Sequence, residues 1–223
     1  MLWRLQRNLR TEAGKPGNMD YKVGGVRWAG KAPAVFDYSA ELVTEQGSLG
    51  SDSIGAWGGH WLVGYTFEQS KYKPRVYGEY NYASGDKNPT DGKRGTFDMV
   101  YPTAHDRWGL ADQVGWRNIH DVHPAFEVRV HPKVLLKTGY HSSWLASATD
   151  GVYAANGTQV ARVPSGTAGT RVGEEVDVQA VCQIFPTLQL LPGSANLTPG
   201  TFLKRATQGQ AYRYPFLSVL YTF

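Results

Sequence analysis

The sequence has little of three features that organise many proteins of its size. It contains a single cysteine, Cys182, so no disulfide can form within the chain. It has no run of about 18 apolar residues, which excludes a transmembrane helix. Its first residues contain neither the apolar stretch nor the cleavage site of a secretory signal peptide. If the protein is exported, we therefore expect further sequence to precede this chain.

Charged residues are also scarce. They make up 19% of the chain, against roughly 25% in soluble domains, and the net charge is only +4. No basic cluster is present, which argues against a nucleic-acid partner. Aromatic residues, by contrast, reach 13%, and there are 26 glycines among 223 residues. This composition and length suit one β-barrel domain covering residues 1–223.

Apolar and polar side chains alternate at a period of two, which is typical of β-strands. Within residues 36–42 the even positions are Phe, Tyr, Ala and Leu, and the odd positions are Asp, Ser and Glu. The same alternation recurs in further segments, at 57–67, 75–84, 125–130, 134–144, 175–180 and 212–223. Residues 1–19 are poorly defined, with a strand expected at 3–9. The pattern predicts roughly nine or ten strands in all.

The connections between these strands alternate between short and long. Short turns are predicted at 31–33, 69–73, 131–133 and 185–187. Long loops are predicted at 46–55, 85–115, 146–172 and 192–211, with Pro192 interrupting a strand. This order predicts an up-and-down antiparallel meander with all the long loops on one rim.

Each strand has one apolar face and one charged face. Which of them forms the outer surface depends on whether the protein lies in a membrane or in water. In an outer-membrane barrel the apolar face points to lipid and the interior is polar. Strands of about 10–12 residues are long enough to cross a bilayer, and aromatic residues near their ends are typical of interfacial girdles. The sequence therefore predicts a transmembrane β-barrel. The alternative is a soluble carbohydrate-binding β-protein, whose apolar face would be buried.

A motif in the longest loop resembles the alginate-export domain of Gram-negative outer membranes. It reads Gly-Thr-Phe-Asp at 95–98, Tyr-Pro-Thr at 101–103 and His105, followed by Gly-Leu-Ala-Asp-Gln-Val-Gly-Trp-Arg-Asn-Ile-His-Asp at 109–121. Further similarity lies at 82–89, 24–31, 172–177, 199–203 and 221–223, so the resemblance covers residues 20–223.

The resemblance implies a monomeric, porin-like barrel of about 18 strands, within the known size range of such barrels. This chain would be its C-terminal half, truncated at the N-terminus, because a half-barrel leaves two unpaired edges in lipid. The implied function is a channel in the bacterial outer membrane. It would pass anionic polysaccharide such as alginate, or small anionic solutes, through an electropositive lumen. Its other partners would be outer-membrane lipid and the barrel-assembly machinery.

Two sets of residues are candidates for the solute path. Rings of basic side chains select anions, and the predicted lumen set is Arg27, Arg75, Arg117, Arg129 and Lys137. The long loop is expected to narrow the lumen, with a constriction set of Asp98, Tyr101, His105, Arg107 and Asp112. The alternative is that the basic side chains only neutralise acidic residues on neighbouring strands.

Metal and catalytic sites have little support. His120 and His123 would point to opposite faces of a strand, so we predict no metal site there. Asp86, Asn88 and Asp91 approach a calcium-binding loop but are out of register, so loop calcium is the one weak cofactor hypothesis. His141 and Ser143 share a face, but no Gly-x-Ser-x-Gly motif is present. An outer-membrane hydrolase is therefore the least favoured alternative, and we predict no catalytic residues.

Overall fold

The computed structural model describes residues 1–11, 14–33, 35–102, 105 and 107–223, and in these the protein is almost entirely β-structure. The strands are β1 Leu2–Arg10, β2 Pro16–Ala32, β3 Phe36–Leu49, β4 Asp52–Thr66, β5 Arg75–Ala83, β6 Lys93–Arg94, β7 Ile119–His131, β8 Val134–Trp144, β9 Gly151–Tyr153, β10 Gln159–Arg162, β11 Arg171–Phe185, β12 Leu188–Pro199 and β13 Tyr212–Tyr221. The helix α1 is Thr201–Ala206. Within the described ranges, no helix has the length and apolar character needed to cross a bilayer.

The strands form one antiparallel meander, as predicted. Its order is β1-β2-β3-β4-β5-β7-β8-β11-β12-β13, and β6 pairs with β4 to give an 11-stranded sheet. The ten strands on this path agree with the nine or ten predicted. Over the described residues β1 and β13 are the two edges and do not pair with each other, so the sheet is open.

The long connections lie on one rim, as predicted. The prediction of a long loop at 46–55, however, is wrong. There β3 runs to Leu49 and β4 begins at Asp52, with Leu49 directly opposite Asp52. The two-residue turn uses Gly50 at a φ of +57°, a conformation that glycine adopts without steric cost. The short strand β6 also pairs in parallel with β4, at Ser53 and Ile54.

The predicted interruption at Pro192 is also wrong, although its physical basis is visible. β12 continues through the proline to Pro199. On the β11 side the ladder passes from the Gln179–Gly193 pair to the Cys182–Leu190 pair, leaving out the proline. On the β13 side Pro192 stays paired with Leu217. The missing N–H therefore breaks the ladder on one side only, and the other neighbour holds the strand.

The poorly defined N-terminal region is a regular hairpin in the described residues. β1 pairs with the beginning of β2, which starts at Pro16, inside the stretch that the sequence left poorly defined. The hairpin β9–β10 and the short helix α1 lie inside segments predicted as loops. Both elements are too short to leave a periodic signal in the sequence.

The faces of the sheet are oriented as an outer-membrane barrel requires. The outer face carries exposed large apolar side chains, including Val26 at 66%, Trp28 at 71% and Leu217 at 65% exposure. The inner face carries buried polar side chains such as His60 and Asp121. This arrangement contradicts the soluble carbohydrate-binding alternative, which requires the apolar face to be buried.

The core lies between the inner face and the long loops. One cluster joins Phe97 and Ile119 to the helix residue Phe202. A second cluster joins Met19 and Tyr21 of β2 to residues at the β3–β4 turn. The loops at the long-loop rim are therefore packed inward onto the sheet.

Candidate functional site

Below this apolar core, the inner face carries a continuous set of buried polar side chains on five neighbouring strands. We call it the polar cluster, and its members are His60, Glu79, Asn81, Asp121, His123, His141, Ser143, Glu175 and Asp177. All point inward because they occupy alternate positions of antiparallel strands. Burying so many polar groups is tolerable only when they are hydrogen-bonded to one another.

Short polar contacts link the first half of the cluster. His60 Nδ1 lies 2.8 Å from Asn81 Oδ1 and 3.2 Å from Glu79 Oε1. The Asn81 amide also donates to Glu79 at 2.8 Å. His123 stacks on His141 with ring centroids 3.8 Å apart, which joins the two halves. His120 instead contacts Tyr80 on the outer face, so the predicted separation of His120 and His123 is confirmed.

Asp121 organises the second half. Its two oxygens bind Ser143 Oγ at 2.8 Å and His141 Nδ1 at 3.0 Å. Ser143 and His141 thus each bond to the same carboxylate. A serine hydrolase needs its serine hydrogen-bonded to the histidine base, so this geometry gives no support to the hydrolase alternative.

The loop of residues 84–118, which we call the β5–β7 loop, lies across this inner face. Leu110 N donates to Asp177 Oδ2 at 3.0 Å, and Ala111 N donates to Glu175 Oε1 at 2.9 Å. Gly109 precedes them at a φ of +93° and packs so closely on Glu175 that a Cβ would lie 2.5 Å from its carboxylate. The backbone of the loop is therefore held by two carboxylates of β11.

A second attachment centres on Asp98 of the same loop. Asp98 N donates to Glu45 Oε2 at 2.9 Å, while its carboxylate accepts a bond from Tyr21 at 2.8 Å. Arg117 and Arg7 contact this carboxylate at 3.3 and 3.1 Å. The loop is thus fixed to β1, β2 and β3 at one end and to β11 further along.

The structure places all five predicted constriction residues in the β5–β7 loop, but spreads them over the inner face. Asp98 is buried in the attachment just described, and Arg107 lies 3.6 Å from Glu41 of β3. His105 stacks on Tyr214 of β13 at 5.8 Å and lies 3.1 Å from Asp112. Tyr101 is 70% exposed. Thr103 of the sequence motif lies outside the described residues.

The predicted path cations fall into two groups. Three of them have carboxylate partners: Arg75 binds Asp37 at 2.6 Å, Lys137 approaches Glu127 at 3.6 Å, and Arg117 contacts Asp98. The other two, Arg27 and Arg129, are exposed and form no ion pair with any residue that the structure describes. Charge neutralisation thus accounts for the first group but not for the second, in which Arg129 Nη1 donates to the backbone oxygen of Pro132, at 3.4 Å.

Two residues that hold the long loops together by hydrogen bonds were not predicted from the sequence. Asn118 is fully buried, and its side chain bonds to the backbone of Ser147 and Gly151. Asp150 is also fully buried and accepts four hydrogen bonds. Burial and the adjacent Asp150 raise the pKa of Tyr153, so its hydroxyl keeps the proton that it donates to Asp150. Asn118 belongs to the sequence motif, which was the available signal.

The proposed calcium loop has its carboxylates engaged by backbone groups. Asp86 accepts bonds from Asn88 N and Gly95 N, and Asp91 accepts one from Lys93 N. Among the residues with described positions, no group of three or more potential ligands is arranged to hold a metal ion. Loop calcium therefore stays a hypothesis that rests on sequence alone.

The contact between β4 and the β5–β7 loop gives a first testable prediction. A Cβ on Gly58 would lie 3.1 Å from Trp116 and 3.2 Å from Phe97, and Trp116 is fixed by a 2.7 Å bond to Tyr82 O. We expect Gly58→Val to destabilise the loop by about 1–3 kcal/mol through overpacking. Denaturant titration followed by tryptophan fluorescence would measure it.

The matched control is Gly55→Val on the same strand. A Cβ on Gly55 meets nothing within 4 Å, so we expect little change in stability. Equal effects of the two variants would contradict the packing of the loop on Gly58.

Comparison with known proteins agrees with this architecture. The alginate export family matches residues 2–216, which confirms the resemblance found in the central motif. A search of curated proteins gave no match. The matched family is one of outer-membrane export proteins, with a transport rather than an enzymatic role. Because the match spans nearly the whole sequence and accords with the antiparallel sheet, the chain belongs to the alginate export family.

Proposed function

We propose that this chain forms part of the wall of a channel in the bacterial outer membrane. The observation that carries the proposal is the division of the sheet into an exposed apolar outer face and a buried polar inner face. Such a division suits lipid outside and a hydrated passage inside. We also propose that the barrel-assembly machinery and outer-membrane lipid are its partners. We further propose that the full-length channel is a monomer.

The proposed solutes are anionic polysaccharide, such as alginate, or smaller organic anions. Arg27 and Arg129 support this class because they are exposed on the inner face without a carboxylate partner among the described residues. A guanidinium in such a position can pair with two oxygens of a carboxylate. The β5–β7 loop would narrow the passage, since its backbone is fixed to β11 by Glu175 and Asp177.

Charge reversal tests this proposal. We expect Arg27→Glu or Arg129→Glu, each in the reconstituted protein, to lower the anion-to-cation permeability ratio. Reversing one charge about 8 Å from an ion in water changes the energy of that ion by about 1 kcal/mol, which is about fivefold in its permeability. Anions and cations shift in opposite directions, so the ratio should fall by about 25-fold. The measurement is the reversal potential across a planar bilayer under a salt gradient.

The control is Lys22→Glu, an exposed cation on the outer face of the same strand as Arg27. Lys22 lies between the inward-facing Tyr21 and Val23, so its reversal should leave selectivity unchanged. Unchanged selectivity in both arginine variants would refute the anion path.

A further inference from the structure

A cavity of about 530 Å³ lies between the β5–β7 loop and the inner face at β1–β3. Aromatic side chains dominate its walls: Trp3, Phe97, Tyr101, Trp108 and Trp116. Val43, Met99 and Val100 add further apolar surface. A concave, mostly apolar cavity with few polar groups is the usual form of a small-molecule site.

The aromatic wall is held in place before any ligand arrives. Trp108 stacks on Trp116 with ring centroids 5.5 Å apart and an interplanar angle of 19°. Phe97 packs against Trp116 at 5.0 Å. The Trp116 indole N–H donates to Tyr82 O and is therefore unavailable to a ligand. The wall thus offers mainly the flat apolar faces of its rings.

The charged side chains of the lining lie together in one part of the cavity. Arg27 and Glu41 are direct partners across β2 and β3, and Arg107 of the loop lies 3.6 Å from Glu41. All three side chains line the cavity. Glu41 balances one of the two arginines, so the described side chains of the lining carry one positive charge in excess. Arg27, which has no ion-pair partner in the described ranges, supplies it.

This combination discriminates between classes of anion. A sugar acid carries several hydroxyls, and most of them would lose their water against the apolar side chains that make up most of the lining. A flat ring with one carboxylate loses only apolar hydration there, and its charge meets Arg27. Ring faces also gain from offset or edge contacts with aromatic side chains.

We propose that this cavity binds small monocarboxylic acids whose body is an aromatic or otherwise apolar ring. The carboxylate would pair with Arg27, supported by Arg107, and the ring would lie against Trp108 and Trp116. This inference rests on the proposed function in one respect: it names a solute class for the same inner face. Binding to the folded protein can be measured without any conduction through the channel.

Direct binding measurements test the proposal. The refolded chain in detergent micelles would be titrated at neutral pH, by calorimetry and by tryptophan fluorescence, with benzoate, benzyl alcohol, glucuronate and acetate. We expect benzoate to bind at least about tenfold more tightly than each of the others. The affinity for benzyl alcohol measures the contribution of the ring without the charge. The affinities for glucuronate and acetate measure the contribution of the charge without an apolar ring.

Variants locate the site. Arg27→Met should weaken benzoate binding about tenfold and leave benzyl alcohol binding unchanged. Lys22→Met, at an exposed outer-face lysine of the same strand that does not line the cavity, should change neither. Far-UV circular dichroism would check that each variant is folded.

Two results would overturn the proposal: glucuronate binding as tightly as benzoate, or an equal loss of benzoate binding in the two variants. The channel and the cavity can fail separately. Benzoate binding with no anion selectivity in bilayers would support the cavity and refute the channel. Anion selectivity without benzoate binding would do the reverse.

Discussion

Replacing Asp150 by alanine is expected to release the loops of the long-loop rim from one another. The Asp150 carboxylate accepts bonds from Asp86 N at 2.9 Å, Thr96 Oγ1 at 2.6 Å, Gly151 N at 2.7 Å and Tyr153 Oη at 2.7 Å. Hydrogen bonds to a charged group contribute about 1.5–3 kcal/mol each. Even with water entering the vacated space, we expect a loss of about 4 kcal/mol of local stability.

Hydrogen exchange followed by mass spectrometry would measure this loss. Amides of the β5–β7 loop should exchange on the order of a thousandfold faster, since each 1.4 kcal/mol corresponds to about tenfold. Asp91→Ala is the matched control, because Asp91 is exposed and its carboxylate accepts one bond, from Lys93 N at 2.9 Å. Similar exchange rates in the two variants would show that Asp150 does not hold the loops.

Asn118→Ala is expected to have an effect nearly as large. The Asn118 amide donates to Ser147 O at 3.0 Å and to Gly151 O at 2.9 Å, and its oxygen accepts from Ser147 N at 2.7 Å. Alanine would leave three backbone groups without their partner in a buried position. Asn118 also has a φ of +49°, which asparagine tolerates better than alanine. We expect about 3 kcal/mol of lost protection, or roughly a hundredfold faster exchange.

A substitution at Gly85, which packs against the Asn118 side chain, tests the same anchor. A Cβ on Gly85 would lie 1.7 Å from Asn118 Oδ1, so Gly85→Ala must expel the asparagine side chain. We expect the single variants to have similar effects. The double variant should then lose little more than either one, because both remove the same interaction. Additive losses would contradict the assigned contact.

The two anchors bear on the channel because they fix the β5–β7 loop over the polar inner face. Hydrogen bonds of Asp150 and Asn118 join the β5–β7 loop to the long loop between β8 and β11. Glu175 holds the β5–β7 loop on the sheet. A loop tied at several points has a defined shape, and the aromatic cavity depends on that shape. Loosening either anchor should therefore weaken ligand binding as well as loop protection.

Much of the fold followed from the sequence, because strand patterns are local. The alternation at 36–42 and its counterparts predicted the strands, their antiparallel order and the rim of the long loops. It failed where tertiary contact outweighs local composition. The glycine- and serine-rich stretch at 46–55 is a hairpin because the ladder between β3 and β4 continues up to the pair of Leu49 with Asp52. The strand through Pro192 continues because β13 pairs with its far side.

The candidate site was predicted less completely. The sequence identified the loop and its motif, and it placed Arg27 and Arg129 on the inner face. It gave no means of separating them from Arg75, whose partner Asp37 lies 38 residues away in the chain. The anchors Asn118 and Asp150 were missed for the same reason. Their partners come from other loops, and no spacing rule connects such residues.

By itself, then, the sequence determined most of the long strands, the two faces of the sheet and the family. These depend on side-chain alternation and on a contiguous motif, both of which can be read along the chain. Only the tertiary structure decided which cations are neutralised, how the β5–β7 loop is fixed, and that an aromatic cavity with one excess positive charge lies beneath it. Those properties arise from pairwise distances between residues far apart in sequence, which periodicity does not encode.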